Sequence, residues 1–255
     1  MTRIALDAMG GDKAPGEIVL GGVKALVEME DLKVFLVGRK EQIEAEFLKF
    51  DPQLMAKVKA ALQEEVGLPV KPDVPLMVMV TRLAGHKGLD LLCYIARRLM
   101  WEEDAQLLIL GTGEAQYETF FKDLAAEYPE QCAAKITFNL ELAARIYAGG
   151  DIYLMPSKSE PCGLSQMNAM RYGTVPVIHE TGGLYDSIKD AGCEGGGNGY
   201  TFASYSAWDM LCALRNALNC YADKAAWKKL VRRVMLTDFS WDVSAGKYTE
   251  LYRSL

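Results

Sequence analysis

Short apolar runs and amphipathic stretches alternate along the chain, and this pattern predicts strands and helices in regular succession. The runs that predict strands are Arg3–Asp7, Leu32–Gly38, Leu76–Val80, Ala105–Leu110, Lys135–Phe138, Asp151–Met155, Val175–Ile178 and Tyr200–Phe202. Helical spacing of apolar residues predicts helices over Gly16–Glu28, Arg39–Val66 with a break at Asp51–Pro52, Leu89–Met100, Gln116–Tyr128, Leu140–Ala148, Gly163–Arg171, Leu184–Asp190, Ala207–Tyr221, Lys224–Met235 and Ser244–Leu255. The fold class is therefore α/β, a doubly wound parallel sheet, and ligands are expected at the carboxyl ends of its strands.

Two breaks in the pattern divide the chain. Asp51–Pro52 interrupts a helical stretch, and Gly67–Pro75 is a proline-rich connector. We predict a βαβα unit over residues 1–50, a helix and linker over 51–75, and a larger domain over 76–255. The first unit could add strands to the edge of the larger sheet or form a small separate lobe. About 50 residues is marginal for an independent core, so we expect it to pack against the larger domain.

Composition excludes several classes of function. Half of the 255 residues are apolar, and the net charge of −6 is spread without a basic stripe, so nucleic acid is not an expected partner. There is no apolar run of membrane length and no signal-peptide pattern, and we expect a cytoplasmic protein that does not bind a membrane. The six cysteines are scattered without a Cys-x-x-Cys pair, and there are two histidines, so we expect reduced thiols and no metal site.

Polar residues and glycines follow several of the predicted strands. Arg82 and Lys87 could present two cations to a diphosphate, the alternative being two solvated surface cations. Gly111 and Gly113 could allow close backbone approach of a ligand or serve only the turn. Phe138, at a predicted strand end, offers a flat partner for a base, the alternative being a core phenylalanine.

Two further loops add candidates of the same kind. Glu160 comes just before a predicted helix, where its carboxylate could accept ligand hydroxyl protons or cap the helix, with Cys162 as a core cysteine. Cys162 is not expected to be a nucleophile, because no histidine is near it in sequence and a partly buried thiol is usually inert. Two glycines in Thr181-Gly182-Gly183 could expose N–H groups to a phosphate.

The stretch Glu160-Pro-Cys-Gly-Leu164, with Gln166 and Arg171–Val177, resembles the donor-site signature of bacterial glycogen synthases and plant starch synthases. These are retaining glucosyltransferases that use ADP-glucose. The resemblance extends from about Lys59 to Leu255. Its other motifs are Thr81-Arg-Leu83, Lys87–Asp90, Gly111–Gly113, Thr181–Leu184 and Phe239–Asp242. It implies a Rossmann-like domain of the GT-B C-terminal type.

The resemblance also implies a role for each motif residue. It assigns the catalytic positions to Arg82, Lys87 and Glu160: the two cations bind the phosphates and stabilise the leaving diphosphate, and Glu160 contacts the donor sugar. The nucleotide-sugar-binding positions are Gly111, Gly113, Phe138, Cys162, Gly163, Leu164, Thr181, Gly182 and Gly183. Phe138 aligns with the adenine-stacking tyrosine of the family. No cofactor or metal is implied, and ADP or ADP-glucose is the expected ligand.

Residues 1–50 resemble a different family, the phosphate acyltransferase of phospholipid synthesis. The resemblance rests on Ile4–Asp12, Ala14-Pro15 and Leu36–Gly38, with Lys13 where that family has histidine. It implies a phosphate-binding turn, and the alternative is a tight strand-to-helix connection. Two family starts in one chain suggest a chimera.

The chain departs from the glycogen synthase pattern at several positions. The family's Lys-x-Gly-Gly-Leu motif and N-terminal histidine have no counterpart, and Ala144, Lys158-Ser159 and His179-Glu180 replace His, Arg-Phe and a basic pair. We expect a shortened glycogen/starch-synthase-like hexosyltransferase, with ADP-glucose as donor and an α-1,4-glucan as acceptor. The alternatives are a non-catalytic ADP or nucleotide-sugar binding module, a chimeric Rossmann-like scaffold and, less favoured, a phosphate acyltransferase. A partner chain that supplies an acceptor domain also stays open.

Overall fold

The computed structural model describes residues 2–11, 13–29, 31–47, 52–192 and 196–255. The chain forms two compact units, Met1–Ala61 and Leu62–Leu255. Among the described residues, no helix is both long and apolar enough to cross a lipid bilayer. The predicted domain limits at residues 50 and 75 stay predictions.

The first unit contains a small parallel sheet of two strands. Its elements are β1 (Thr2–Asp7), α1 (Gly16–Glu28), β2 (Leu32–Val37) and α2 (Lys40–Phe47), and α3 (Pro52–Val66) begins within it. The strands pair in register from Thr2 opposite Leu32 to Asp7 opposite Val37. Ala8, Val19 and Ile43 form its buried core. Because the two strands pair with each other in a sheet of their own, they do not extend the larger sheet. The expected packing against the larger domain stays a prediction.

The second unit is built on a six-stranded sheet in which every pairing is parallel. Its strands are β3 (Leu76–Val80), β4 (Gln106–Leu110), β5 (Cys132–Lys135), β6 (Ile152–Met155), β7 (Val175–His179) and β8 (Tyr200–Phe202). The helices are α4 (Leu89–Glu102), α5 (Ala115–Glu127), α6 (Leu140–Gly149), α7 (Ser165–Arg171), α8 (Gly182–Ser187), α9 (Ala207–Ala222), α10 (Lys224–Leu236) and α11 (Trp241–Ser254). Strands β4, β6 and β7 are buried at every position, as expected for strands covered on both faces.

The strand order is β5-β4-β3-β6-β7-β8, the doubly wound arrangement. The chain moves outward in one direction from β3 to β5 and then returns to continue from β6 to β8. The order therefore reverses between β3 and β6. In such sheets a crevice opens at the carboxyl ends of the two strands that flank this switch point, and it is the usual place for a ligand.

Most predicted elements are confirmed within one to three residues, but two are misplaced. The predicted strand Lys135–Phe138 is wrong, because β5 pairs with β4 from Cys132 opposite Leu107 to Lys135 opposite Leu110. The helix predicted over Leu184–Asp190 is displaced. The observed helix α8 begins two residues before the predicted start, at Gly182, and it ends at Ser187 because the buried Ile188 has an extended backbone. The glycine-rich run Gly195–Gly199 also predicts a turn, and this prediction lies partly outside the described residues.

Candidate functional site

The loop after β3 brings Lys87 to the switch point. A single turn of 3-10 helix spans Gly85–Lys87, and Gly88 ends it with φ of 74°. A side chain at Gly88 would place its Cβ 1.9 Å from the carbonyl oxygen of Pro156, at the start of the next loop. Only glycine therefore permits the loops after β3 and β6 to lie this close together.

Lys87 and Glu160 meet across the switch point. The Nζ of Lys87 lies 2.7 Å from Oε2 of Glu160, and the two side chains are 19% and 11% exposed. Ser157 is almost fully buried, and its hydroxyl donates to the same Oε2 at 3.1 Å. The Glu160 carboxylate is thus held by a cation from one loop and a hydroxyl from its own. It does not cap the following helix, whose N-cap residue is Leu164 without a side-chain cap.

Arg82 supplies the second cation of this edge. Its side chain is exposed, and Nη2 lies 3.3 Å from Nε2 of the exposed His86. A guanidinium group can only donate, so this contact makes Nε2 the acceptor in the imidazole. The sequence predicts no role for His86 beyond that of an exposed loop residue; it is exposed, and it is also a hydrogen-bond partner of the Arg82 side chain.

The structure gives Gly111 and Gly113 a packing role. A Cβ at Gly111 would lie 1.9 Å from the Thr81 carbonyl oxygen, and one at Gly113 would lie 2.2 Å from that of Leu83. The Gly113 N–H donates to Oε1 of Glu118 at 2.9 Å, which lowers the pKa of that carboxyl. The close approach that these glycines allow is therefore to the loop after β3. Their predicted part in ligand binding stays a prediction.

Gly182 and Gly183 join the loop after β7 to the loop after β6. Gly182 has φ of 45°, and a Cβ there would lie 2.2 Å from the Glu160 carbonyl oxygen. The Gly183 N–H donates to that same oxygen at 3.1 Å, so this amide already has a partner. Thr181, half-buried and extended, precedes α8. The motif fixes the backbone of Glu160 as well as its own turn.

Cys162 is exposed, so the expectation of a partly buried thiol is wrong. The reason is that Gly163, with φ of 73°, turns the chain here and leaves Leu164 65% exposed as well. The fully buried Gln166 lies beneath this turn. Its Nε2 donates to the Gly163 carbonyl at 3.0 Å and to the Cys162 carbonyl at 3.4 Å.

A cavity of about 740 Å³ is lined in part by residues of the loops after β3, β4 and β5. Three of the predicted site residues, Arg82, Gly111 and Phe138, are among its lining residues. Phe138 is 79% exposed, so the alternative of a core phenylalanine is wrong. It follows β5 by three residues, in a loop that Asn139 ends by capping α6. Lys87 and Glu160 are not among the described residues that line this cavity, although Lys87 follows the cavity-lining Arg82 in the same loop.

Several residues of this site were not found from the sequence. They line the cavity and are Leu140, Ala143 and Tyr147 of α6, Asn168 of α7 and Tyr172, the residue after α7. The spacing of four residues between Asn168 in α7 and Tyr172, which caps that helix, was the sequence signal that could have placed them on one face. Among the described residues there is no group of three or more His, Cys, Asp and Glu that could hold a metal ion.

The doubly wound fold and the loops at the carboxyl ends of its strands agree with the family to which the sequence is matched. The model of the family described as "Glycosyl transferases group 1" matches residues 62–234, more than half of the chain, and the protein belongs to this family. The model described as "Fatty acid synthesis protein" matches residues 2–80.

Comparison with individual proteins shows which members of the family the chain is similar to. The chain is 45% identical over 236 residues to a glycogen synthase of Bacillus cereus, covering 92% of this chain and 49% of the relative. It is 32% identical to the catalytic domain of starch synthase IV from Arabidopsis thaliana bound to ADP and acarbose, with a TM-score of 0.72, over 88% of this chain and 49% of that one. The sucrose-phosphate synthase of Thermosynechococcus elongatus is 20% identical with a TM-score of 0.56, over 99% and 58%, and shows the fold alone. The chain spans about half the length of the glycogen synthases that it matches.

Proposed function

We propose that the chain binds ADP and ADP-glucose at the switch point of its six-stranded sheet, as the donor domain of a glycogen/starch-synthase-type glucosyltransferase. The observation that carries the proposal is the ion pair between Lys87 and Glu160 at the carboxyl ends of β3 and β6, with the exposed Arg82 in the same loop as Lys87. It is supported by the likeness to a starch synthase domain that was solved with ADP.

The two cations suit the diphosphate. Arg82 is exposed at the cavity wall, and Lys87 is about one-fifth exposed, so both can reach an anion in the crevice. A guanidinium fork and an ammonium point charge complement phosphate oxygens. When the glycosidic bond to the diphosphate breaks, negative charge grows on the leaving oxygens, and fixed cations stabilise it.

The base and the sugar would lie on opposite sides of the diphosphate. Phe138 presents an exposed ring at the mouth of the cavity, where it can stack on adenine. Glu160 and the turn at Cys162–Leu164 belong to the loop after β6, and we propose that the carboxylate accepts hydrogen bonds from the sugar hydroxyls there. We further propose that the glucose is transferred to an α-glucan with retention of configuration at the anomeric carbon.

Calorimetric titration with ADP tests the binding. We expect micromolar affinity for the wild-type chain and a loss of tenfold or more, about 1.4 kcal/mol, in Lys87→Ala. Lys229→Ala is the matched control, because this lysine is exposed on α10 and has no described contact with a predicted site residue. Thermal unfolding of each variant reports whether it is folded. Failure of the folded wild-type chain to bind ADP would overturn the proposal.

Transfer is tested separately, by incubating the chain with radiolabelled ADP-glucose and glycogen. Incorporation of label that Glu160→Gln abolishes would support a transferase. Binding without incorporation would identify the chain as a nucleotide-sugar binding module.

A further inference from the structure

One buried peptide unit connects the loops of the proposed site. The carbonyl group of Ser157 and the N–H group of Lys158 belong to the same peptide plane. The carbonyl lies 2.9 Å from Nδ1 of His179, the last residue of β7. The N–H donates at 2.9 Å to the carbonyl of His86, in the loop after β3. The plane is therefore held from both sides, by elements that flank β6.

His179 belongs to strand β7 and is buried, so its side chain is held in one position by the packing around it. Its side chain is 8% exposed. The ring lies 5.3 Å from the ring of Phe202 and 5.3 Å from that of Tyr205, measured between centroids. A carbonyl oxygen can only accept, so the imidazole must carry its proton on Nδ1. The contact thus fixes the tautomer as well as the orientation of the ring.

We call the two hydrogen bonds that hold the Ser157–Lys158 peptide the clamp. Ser157 also connects this peptide to Glu160. The Ser157 side chain is 1% exposed, and its hydroxyl donates to Oε2 of Glu160, the oxygen that also receives Lys87. The contacts described for this carboxylate all fall on Oε2, and none is described for Oε1, the oxygen that the proposal assigns to the sugar. A shift of the Ser157 backbone would rotate the carboxylate and misplace that oxygen.

We infer that His179 is a positioning residue for the donor sugar: it holds the Ser157–Lys158 peptide and, through the Ser157 hydroxyl, the Glu160 carboxylate. The inference rests on the proposed function, because Glu160 is there the group that contacts the sugar. His179 itself does not touch the ligand. In this proposal Arg82 and Lys87 bind the diphosphate, which both ligands share. His179 therefore affects the affinity for ADP-glucose more than the affinity for ADP.

Two substitutions separate the hydrogen bond from the ring. His179→Phe keeps an aromatic ring against Phe202 and Tyr205 but removes the donor. His179→Asn loses the ring but keeps an N–H at about the place of Nδ1. We expect His179→Phe to weaken ADP-glucose binding about tenfold while ADP affinity changes less than about threefold, and His179→Asn to restore most of the loss. Tyr205→Phe, which removes only the hydroxyl that donates to Asp90 at 2.6 Å, is the matched control and leaves both affinities unchanged.

A second measurement needs no ligand. Amide hydrogen exchange in residues 157–164 of the ligand-free chain should quicken in His179→Phe and not in Tyr205→Phe, while residues 111–118 stay as in the wild type. Unchanged exchange in folded His179→Phe would overturn the clamp. Equal loss of ADP-glucose affinity in the Phe and Asn variants would assign the effect to ring packing and overturn the inference. Absence of ADP binding in the wild-type chain would overturn the proposed function instead, and the sugar-binding role with it.

Discussion

Lys87 and Glu160 form a 2.7 Å ion pair although 73 residues of sequence separate them. The pair joins the loops after the two strands between which the sheet reverses its order. In the ligand-free chain the cation thus already has an anion, and a diphosphate must compete with Glu160 for it.

This competition predicts that Glu160→Gln strengthens ADP binding. An amide releases Lys87 from its charge partner, and a partly exposed pair of this kind contributes up to about 1 kcal/mol, so we expect a gain of about two- to fivefold. Binding of ADP-glucose should gain less or weaken, because the carboxylate is lost to the sugar. Titration with both ligands measures the two effects, and a Glu160→Gln variant with weaker ADP binding would contradict the competition.

Replacing Gly111 by alanine should destabilise the second unit. The new Cβ would lie 1.9 Å from the Thr81 carbonyl oxygen, and backbone cannot move aside as a side chain can. We expect a loss of about 2–4 kcal/mol in the free energy of unfolding. Gly246 of α11 is the matched control, because its added Cβ meets no atom within 4 Å. Urea unfolding of Gly246→Ala should show equal or slightly higher stability. Equal stability of the two variants would mean that the loops after β3 and β4 are not in this contact.

Phe138→Ala should leave stability nearly unchanged and weaken ADP binding. The side chain is 79% exposed, so its removal costs little packing, within about 0.5 kcal/mol. Stacking of a base on an aromatic ring is worth about 1–3 kcal/mol, which corresponds to roughly five- to 150-fold in affinity. Trp101→Ala removes another aromatic ring that is 83% exposed and should affect neither quantity. An unchanged ADP affinity in Phe138→Ala would contradict the stacking role.

The cysteines should differ in reactivity. Burial raises the pKa of Cys132 to about 12, and burial with the nearby Asp90 raises that of Cys93 to about 12. At pH 8 both thiols stay protonated, whereas Cys162 and Cys212 are exposed. Among the cysteines that the structure describes, mass spectrometry after brief alkylation should therefore find label on these two exposed residues first. If the proposed site is correct, ADP-glucose protects Cys162 and leaves Cys212 reactive. Equal labelling of Cys162 with and without the ligand would argue against a sugar beside it.

The interior of the larger sheet could be predicted from sequence, because β3, β4, β6 and β7 are covered on both faces and leave continuous apolar runs. The edge strand β5 could not. Its Cys132-Ala-Ala segment is short and small, and it becomes a strand through its pairing with Leu107–Leu110.

The site shows the same division. The candidate residues were predicted from their types and spacing and from the family resemblance, but the backbone groups that they contact could not be predicted in this way. Gly111 contacts the carbonyl of Thr81, and His179 contacts that of Ser157. A carbonyl is present in every residue, so no side-chain pattern marks such a contact.

The pairing of β3 with β6 has a consequence for how the chain folds. The N–H of Leu76 donates to the Asp151 carboxylate across a separation of 75 residues, and β3 gains β6 as a neighbour only when two intervening strand-helix units have been laid down. Long-range closure of this kind costs entropy and comes late. The crevice is therefore assembled with the completed sheet, and the onset of ADP binding during refolding should report that last step.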